Sequence, residues 1–210
     1  METTILIVDD SPYIVDGLVA LLKRKGFNTA ACHGGEEALA ALGTTTPPDL
    51  ILLDIMMEPM DGWETLGKIK AEPATRDIPV LMFSAKKITP EEAEEHSLGI
   101  EDFVSKPVNP AQLLDAINRI FERRKAVKTE AMQAKDKGVD PSLIEEYAAL
   151  RKSIEVDKNL LVVLKKSIGT HLPGKEVPAD DLAAISRLET KIQADEQRLN
   201  EINGKFNTGI

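Results

Sequence analysis

Five times within its first 120 or so residues the chain repeats one pattern: a short apolar run that ends near a polar residue, then a segment of helical periodicity. Thr4–Val8 runs into Asp9-Asp10, after which Ser11-Pro12 offers an N-cap and a proline at the first helical position. Ile14, Val15, Leu18, Leu21 and Leu22 then recur at helical spacing up to Gly26. Phe27–Cys32 reads as a weak strand and Glu36–Leu42 as a short helix. Beyond Pro47-Pro48, the apolar run Leu50–Leu53 ends at Asp54 and a helix follows over Gly62–Lys70. Pro79–Phe83 ends at Ser84 before an acidic helix, Pro90–Ser97. Phe103-Val104 precedes Lys106-Pro107, and Asn109 caps a last helix that has Pro110 at its first position.

Alternation of this kind specifies an α/β fold: a five-stranded parallel sheet, doubly wound, with helices on both faces. Ligands of such sheets bind outside the carboxyl ends of the strands. Asp9, Asp10, Asp54, Ser84 and Lys106 stand at those ends and should meet at one rim. Three carboxylates at close range stay ionised together only when a cation joins them, and oxygen-only ligands favour Mg²⁺. A carboxylate beside Mg²⁺, with a lysine and a hydroxyl in reach, is equipped to attack a phosphoryl group and form an acyl phosphate. Taken singly, an acidic pair before a helix is an ordinary partner for the helix dipole; it is the set at successive strand ends that points to chemistry.

The motifs ILIVDDS, LILLDIMMEPMDGWE, Ser84-Ala85 and Phe103-Val104-Ser105-Lys106-Pro107 resemble the receiver domain of two-component response regulators, a flavodoxin-like fold, over roughly residues 3–122. The resemblance implies that Asp54 is the phosphoacceptor, that Asp10 binds Mg²⁺ directly and Asp9 mostly through water, and that the Met56 backbone carbonyl is a further ligand. It implies that Ser84 donates to the phosphoryl group, that Lys106 pairs with it, and that the Lys106–Pro107 bond is cis. It also implies a switch in which Ser84 moves toward the phosphoryl group and Phe103 turns inward, rearranging the face of the fourth helix, fifth strand and fifth helix. The phosphodonor would be a sensor histidine kinase. Two departures stand out: Glu58 occupies a position where the family often has proline, with Pro59 next to it, and serine replaces the commoner threonine at position 84. Met56 and Lys86 occupy positions that tune hydrolysis of the acyl phosphate in this family. Because Met56 can neither orient water nor act as a base, slow self-dephosphorylation is expected.

The rest of the chain carries helical patterns and no recognisable chemistry. The expected organisation is a receiver at 1–122, a prolonged fifth helix or linker at 123–140 ending near Gly138, and a helical hairpin or coiled coil at 141–204. Tyr147, Leu150, Ile154, Asp157, Leu161, Leu164 and Ile168 form a heptad-like seam in one helix. Leu182, Ile185, Leu188, Ile192, Asp195, Leu199 and Ile202 form another, closed by Gly204 after the loop Gly169–Ala179. The two helices read as unequal in length. An intramolecular hairpin and one exchanged between protomers satisfy the pattern equally, so the expected partner is a second copy or another protein.

Charge bears on partners. Residues 1–121 hold 20 acidic and 10 basic side chains, and residues 122–210 hold 15 and 16. Neither part has the bulk basicity that drives binding to nucleic acid, so none is expected, and no basic recognition helix is visible. The cluster Arg123, Arg124, Lys125 and Lys128 reads as a solvated helix face. No apolar run reaches membrane-spanning length, and the opening METTILIVDD turns acidic without a basic leader. A lone Cys32, read as a small core residue, fits a reducing cytoplasm. His33, His96 and His171 read as surface residues, and Trp63 and Tyr147 as packing residues. Two other functions remain in competition: a receiver fold kept as a phosphorylation-independent scaffold, and a Mg²⁺-dependent aspartyl phosphatase. The phosphatase class places its nucleophile first in Asp-x-Asp after strand one, whereas Asp9 and Asp10 here are adjacent.

Overall fold

A computed structural model describes residues 3–44, 46–107, 109–169 and 178–208. The chain falls into two compact units. The first runs to Lys87 and resumes over Gly99–Ala116; the second takes Ile88–Leu98 and the chain from Ile117 onward.

The first unit is built on a parallel sheet of β1 (Thr4–Val8), β2 (Asn28–Cys32), β3 (Leu50–Leu53), β4 (Val80–Ser84) and β5 (Asp102–Ser105), in the order β2-β1-β3-β4-β5. β3 and β4 read as unbroken apolar runs because both of their faces are covered; every residue of LILL and VLMFS is buried. The register aligns the strand ends: Val8 lies level with Cys32 and with Leu53, Leu53 with Met82, and Ser84 with Ser105. The expected fold class is therefore observed. The unit's complete helices are α1 (Pro12–Arg24), α2 (Gly35–Leu42) and α3 (Gly62–Ala71). Cys32 is buried, and that burial, with Glu37 nearby, pushes its thiol up to about 11.

The second unit contains α4 (Pro90–His96), the greater part of α5 (Pro110–Asp136), α6 (Pro141–Gly169) and α7 (Ala179–Thr208). α5 is one continuous helix. It stops where Gly138 adopts φ +79° and the Val139 N–H returns to the Ala134 carbonyl. α6 and α7 pair antiparallel, with Arg198 bridging to Glu146, Lys191 to Asp157 and Lys165 to Glu189. They are near-equal in length, 29 and 30 residues, since Gly204 does not stop α7. Ala134, Val139, Tyr147, Ile202 and Phe206 tie α5, α6 and α7 into one apolar cluster, with the Tyr147 and Phe206 rings 4.7 Å apart. The Tyr147 hydroxyl donates to Glu130 and accepts from Arg151; burial and the Glu130 bond raise its pKa.

Three further sequence expectations are corrected. Leu160, not Leu161, is fully buried on α6, along with Val156, because α6 is covered by more than one neighbour and its apolar stripe is wider than a single seam. Leu182 begins no seam and is 53% exposed. Arg123 is no part of a solvated face: it is buried and pairs with Glu155 at 3.1 Å. Ile168, His171 and most of the loop Gly169–Ala179 lie outside the described side chains.

Candidate functional site

Backbone hydrogen bonds stitch the strand ends into a rim. The Asp9 N–H donates to the Cys32 carbonyl, Asp54 N–H to Val8 and Lys106 N–H to Ser84. Asp9 and Asp54 are thereby fixed at neighbouring strand ends, and Lys106 is delivered to the same edge from beyond β5. Asp10, one residue further along, is exposed.

Lys106 Nζ lies 2.7 Å from Asp9 Oδ2 and 2.7 Å from Asp54 Oδ2. It also sits 4.2 Å above the centroid of the Phe83 ring, a contact that the strand pattern did not reveal. Asp9 is fully buried and accepts a second hydrogen bond from the Ser11 N–H at 2.8 Å, so both of its oxygens are occupied. Asp54 is 4% exposed, and its Oδ1 accepts no hydrogen bond. A buried carboxylate oxygen without a partner costs free energy unless a cation or a reacting group completes it.

Asp9, Asp10 and Asp54 each present a carboxylate oxygen, all within 4.8 Å of one another; among the described residues this is the one group of three or more acidic, histidine or cysteine side chains so placed. Three carboxylates against one ammonium leave an uncompensated negative charge at the rim. That imbalance and the orphaned Oδ1 fit a divalent cation with oxygen ligands.

The loop after β3 is held from the far side by α3. Asp61 caps that helix, its carboxylate accepting from the Glu64 N–H at 2.8 Å. Gly62 lies so close to the loop that a Cβ there would come within 2.1 Å of the Asp54 carbonyl oxygen and 2.7 Å of Ile55 Cα. Its N–H donates to the Ile55 carbonyl. A glycine is thus required for close approach, a role invisible in the sequence, where Asp61-Gly62 reads only as a turn. Met56 follows in this loop with its side chain 56% exposed. Glu58–Pro59 and Lys106–Pro107 are both cis.

Ser84 is fully buried at the end of β4, and its Oγ accepts from the Lys86 N–H at 3.2 Å, leaving its own proton to donate elsewhere. Phe103 is buried in β5, beside an equally buried Asp102 whose carboxylate accepts the Phe103 N–H.

Two family models match successive stretches of the chain. Residues 5–118 match the family described as "Response regulator receiver domain", and residues 123–210 match "Metanogen output domain 2". The DNA-binding response regulator MtrA of Mycolicibacterium smegmatis is 31% identical over 140 residues, 67% of this chain and 60% of that protein. The chain thus spans about 60% of the length of that curated relative. Chemotaxis protein CheY4 of Vibrio cholerae superposes with a TM-score of 0.53 at 27% identity, covering 57% of this chain and 99% of the other. The N-terminal domain of a response regulator receiver protein from Methanoculleus marisnigri JR1 is 60% identical, with a TM-score of 0.48, over 55% of this chain and 94% of that one.

Proposed function

Because the chain belongs to the response regulator receiver family, we propose that it is a two-component switch: Asp54 takes a phosphoryl group from a sensor histidine kinase, and the C-terminal helices carry the output. The observation that supports this most directly is the asymmetry of Asp54, with Oδ2 held by Lys106 at 2.7 Å and Oδ1 unpartnered. In the reaction, Oδ1 attacks the phosphorus of a phosphohistidine donor. The O–P bond forms as the N–P bond breaks, and the electron pair leaves on the imidazole nitrogen. Lys106 neutralises the aspartate and then a phosphoryl oxygen, and the Ser84 hydroxyl donates a hydrogen bond to another.

Asp9, Asp10, Asp54 and the Met56 carbonyl would hold Mg²⁺, which when bound offsets the negative charge of the phosphoryl oxygens. Phe103 and Ser84 act as the switch pair. Tyr13 and Ile14 stand exposed on α1, and with Leu18, Leu21 and Pro107 they line an apolar groove that also reaches Lys106; the donor would dock there.

DNA binding is named for MtrA and is not carried over. The helices of residues 123–210 bear mixed, nearly balanced charge, which suits a protein partner or a second copy better than a phosphate backbone. The test is phosphorylation of the full chain by acetyl phosphate with Mg²⁺, followed by intact mass. One added phosphoryl group in the wild type and none in Asp54→Asn is the expected result. No labelling, or labelling that persists in Asp54→Asn, removes the reading.

A further inference from the structure

α4 follows β4 in the chain, yet it packs among the C-terminal helices, against α6 and α7. Its composition explains the attachment. The helix reads PEEAEEH, with a capping box between Thr89 and Glu92 that fixes its first turn. Its buried side is the small Ala93, and Ile88 and Ser97 close its two ends. Glu94 faces Arg187 of α7, its two oxygens 2.9 and 3.5 Å from Nε and Nη2 in a fork-to-fork pair. At the far end of the helix, Lys152 of α6 donates to the Leu98 carbonyl at 2.9 Å, satisfying a backbone group past the helix terminus.

α4 is also tied to the rim by a very short piece of chain. Ser84 at the end of β4 and Thr89 at the α4 N-cap are separated by four residues, and the first turn of that link is held by the Lys86 N–H on Ser84 Oγ.

We propose that Glu94–Arg187 and Lys152–Leu98 form a releasable clasp by which the output helices hold α4 in the arrangement that goes with an unphosphorylated Asp54. The inference rests on the reading of Asp54 as phosphoacceptor and adds the residues that pass its state to the output. Glu94–Arg187 is an exposed ion pair, and Lys152–Leu98 a single hydrogen bond to a backbone carbonyl. An exposed ion pair biases an equilibrium by no more than about fivefold, which suits it to release rather than permanent attachment. Coupling is reciprocal: if occupancy at Asp54 loosens the clasp, loosening the clasp must tighten binding at Asp54.

The experiment titrates the full chain, in Mg²⁺, with beryllium fluoride as the phosphoryl probe. Trp63, the only tryptophan, reports by fluorescence from beside the Gly62–Asp54 contact, and hydrogen exchange reports on the α4 amides. Arg187→Glu and Glu94→Arg should each raise the apparent beryllofluoride affinity about two- to fivefold and speed α4 exchange in the absence of the probe. The double reversal Glu94→Arg with Arg187→Glu should return both towards wild type. Wild type binding the probe while both single variants match it in affinity would overturn the clasp and leave the site reading intact. Wild type failing to bind would overturn the site reading and the clasp with it.

Discussion

At the scale of single residues, the rim works by contrast between what is satisfied and what is not. Asp9 has both oxygens engaged and is a fixed part of the wall, whereas Asp54 keeps one oxygen open. Gly62 is what lets Asp54 sit where it does. Gly62→Ala must push its methyl into the Asp54 carbonyl, a backbone atom that cannot step aside, so the variant should lose about 1–3 kcal/mol of stability in a urea melt. It should also take up less phosphoryl label than wild type. A variant as stable and as reactive as wild type would show that the loop yields freely. Met56 offers the opposite test because it is more than half exposed, so its replacement removes little packing. Since a thioether cannot orient water, Met56→Glu should shorten the lifetime of the acyl phosphate roughly tenfold or more, measured by decay of the intact-mass signal after acetyl phosphate is removed. A wild-type lifetime of seconds would contradict the slow hydrolysis expected here.

At the scale of elements, the helical pair α6–α7 contains a polar knot in its apolar seam. Asp157 is fully buried; its Oδ2 takes Lys191 and Ser153, Ser153 reaches Asp195, and its Oδ1 has no partner. Lys191 is partly solvated, 42% exposed, so the pair is worth less than a wholly buried one. Lys191→Met still strands a buried carboxylate and should cost about 1–3 kcal/mol by thermal melting. The double change Asp157→Leu with Lys191→Met should recover most of that loss, and a double variant less stable than the single would refute this account. The Glu146–Arg198 pair adds a pH dependence. Arg198 holds the Glu146 carboxyl below the ordinary carboxylate value of 4.5, so the folded state binds that proton less readily than the unfolded state. The contribution is present above that value and fades as pH falls through the depressed one. Glu146→Gln should therefore flatten the acid limb of the melting-temperature profile below about pH 4.5 while lowering stability at neutral pH. The seam residues show how much could be read in advance. The strand ends follow from short apolar runs and the single polar residues that close them, so the meeting of Asp9, Asp10, Asp54 and Lys106 at one rim was legible. The burial of Arg123, the exchange of Leu161 for Leu160 and the attachment of α4 depend on which helices cover which, and no one-dimensional spacing encodes that.

At the scale of the whole molecule, the two family matches at 5–118 and 123–210 divide an acidic, signal-receiving part from a nearly neutral helical one. Within the helical unit the seams of α5, α6 and α7 cover one another, so the folded unit does not require a second copy to bury its core. Apolar side chains remain on the outside: Met132 on α5, Val162 on α6 and Leu182 on α7 are each more than half exposed. Core burial being already complete, assembly with a second chain would have to use such outer positions, and it would be the step that phosphorylation controls. Light scattering of the full chain with Mg²⁺, before and after beryllofluoride, should show the mass double. A Val162→Lys, Leu182→Lys variant should bind the probe as wild type does, by Trp63 fluorescence, and stay monomeric. An unchanged mass in the wild type, alongside clear probe binding, would exclude dimerisation as the output and direct the search to a different protein partner for the same helices.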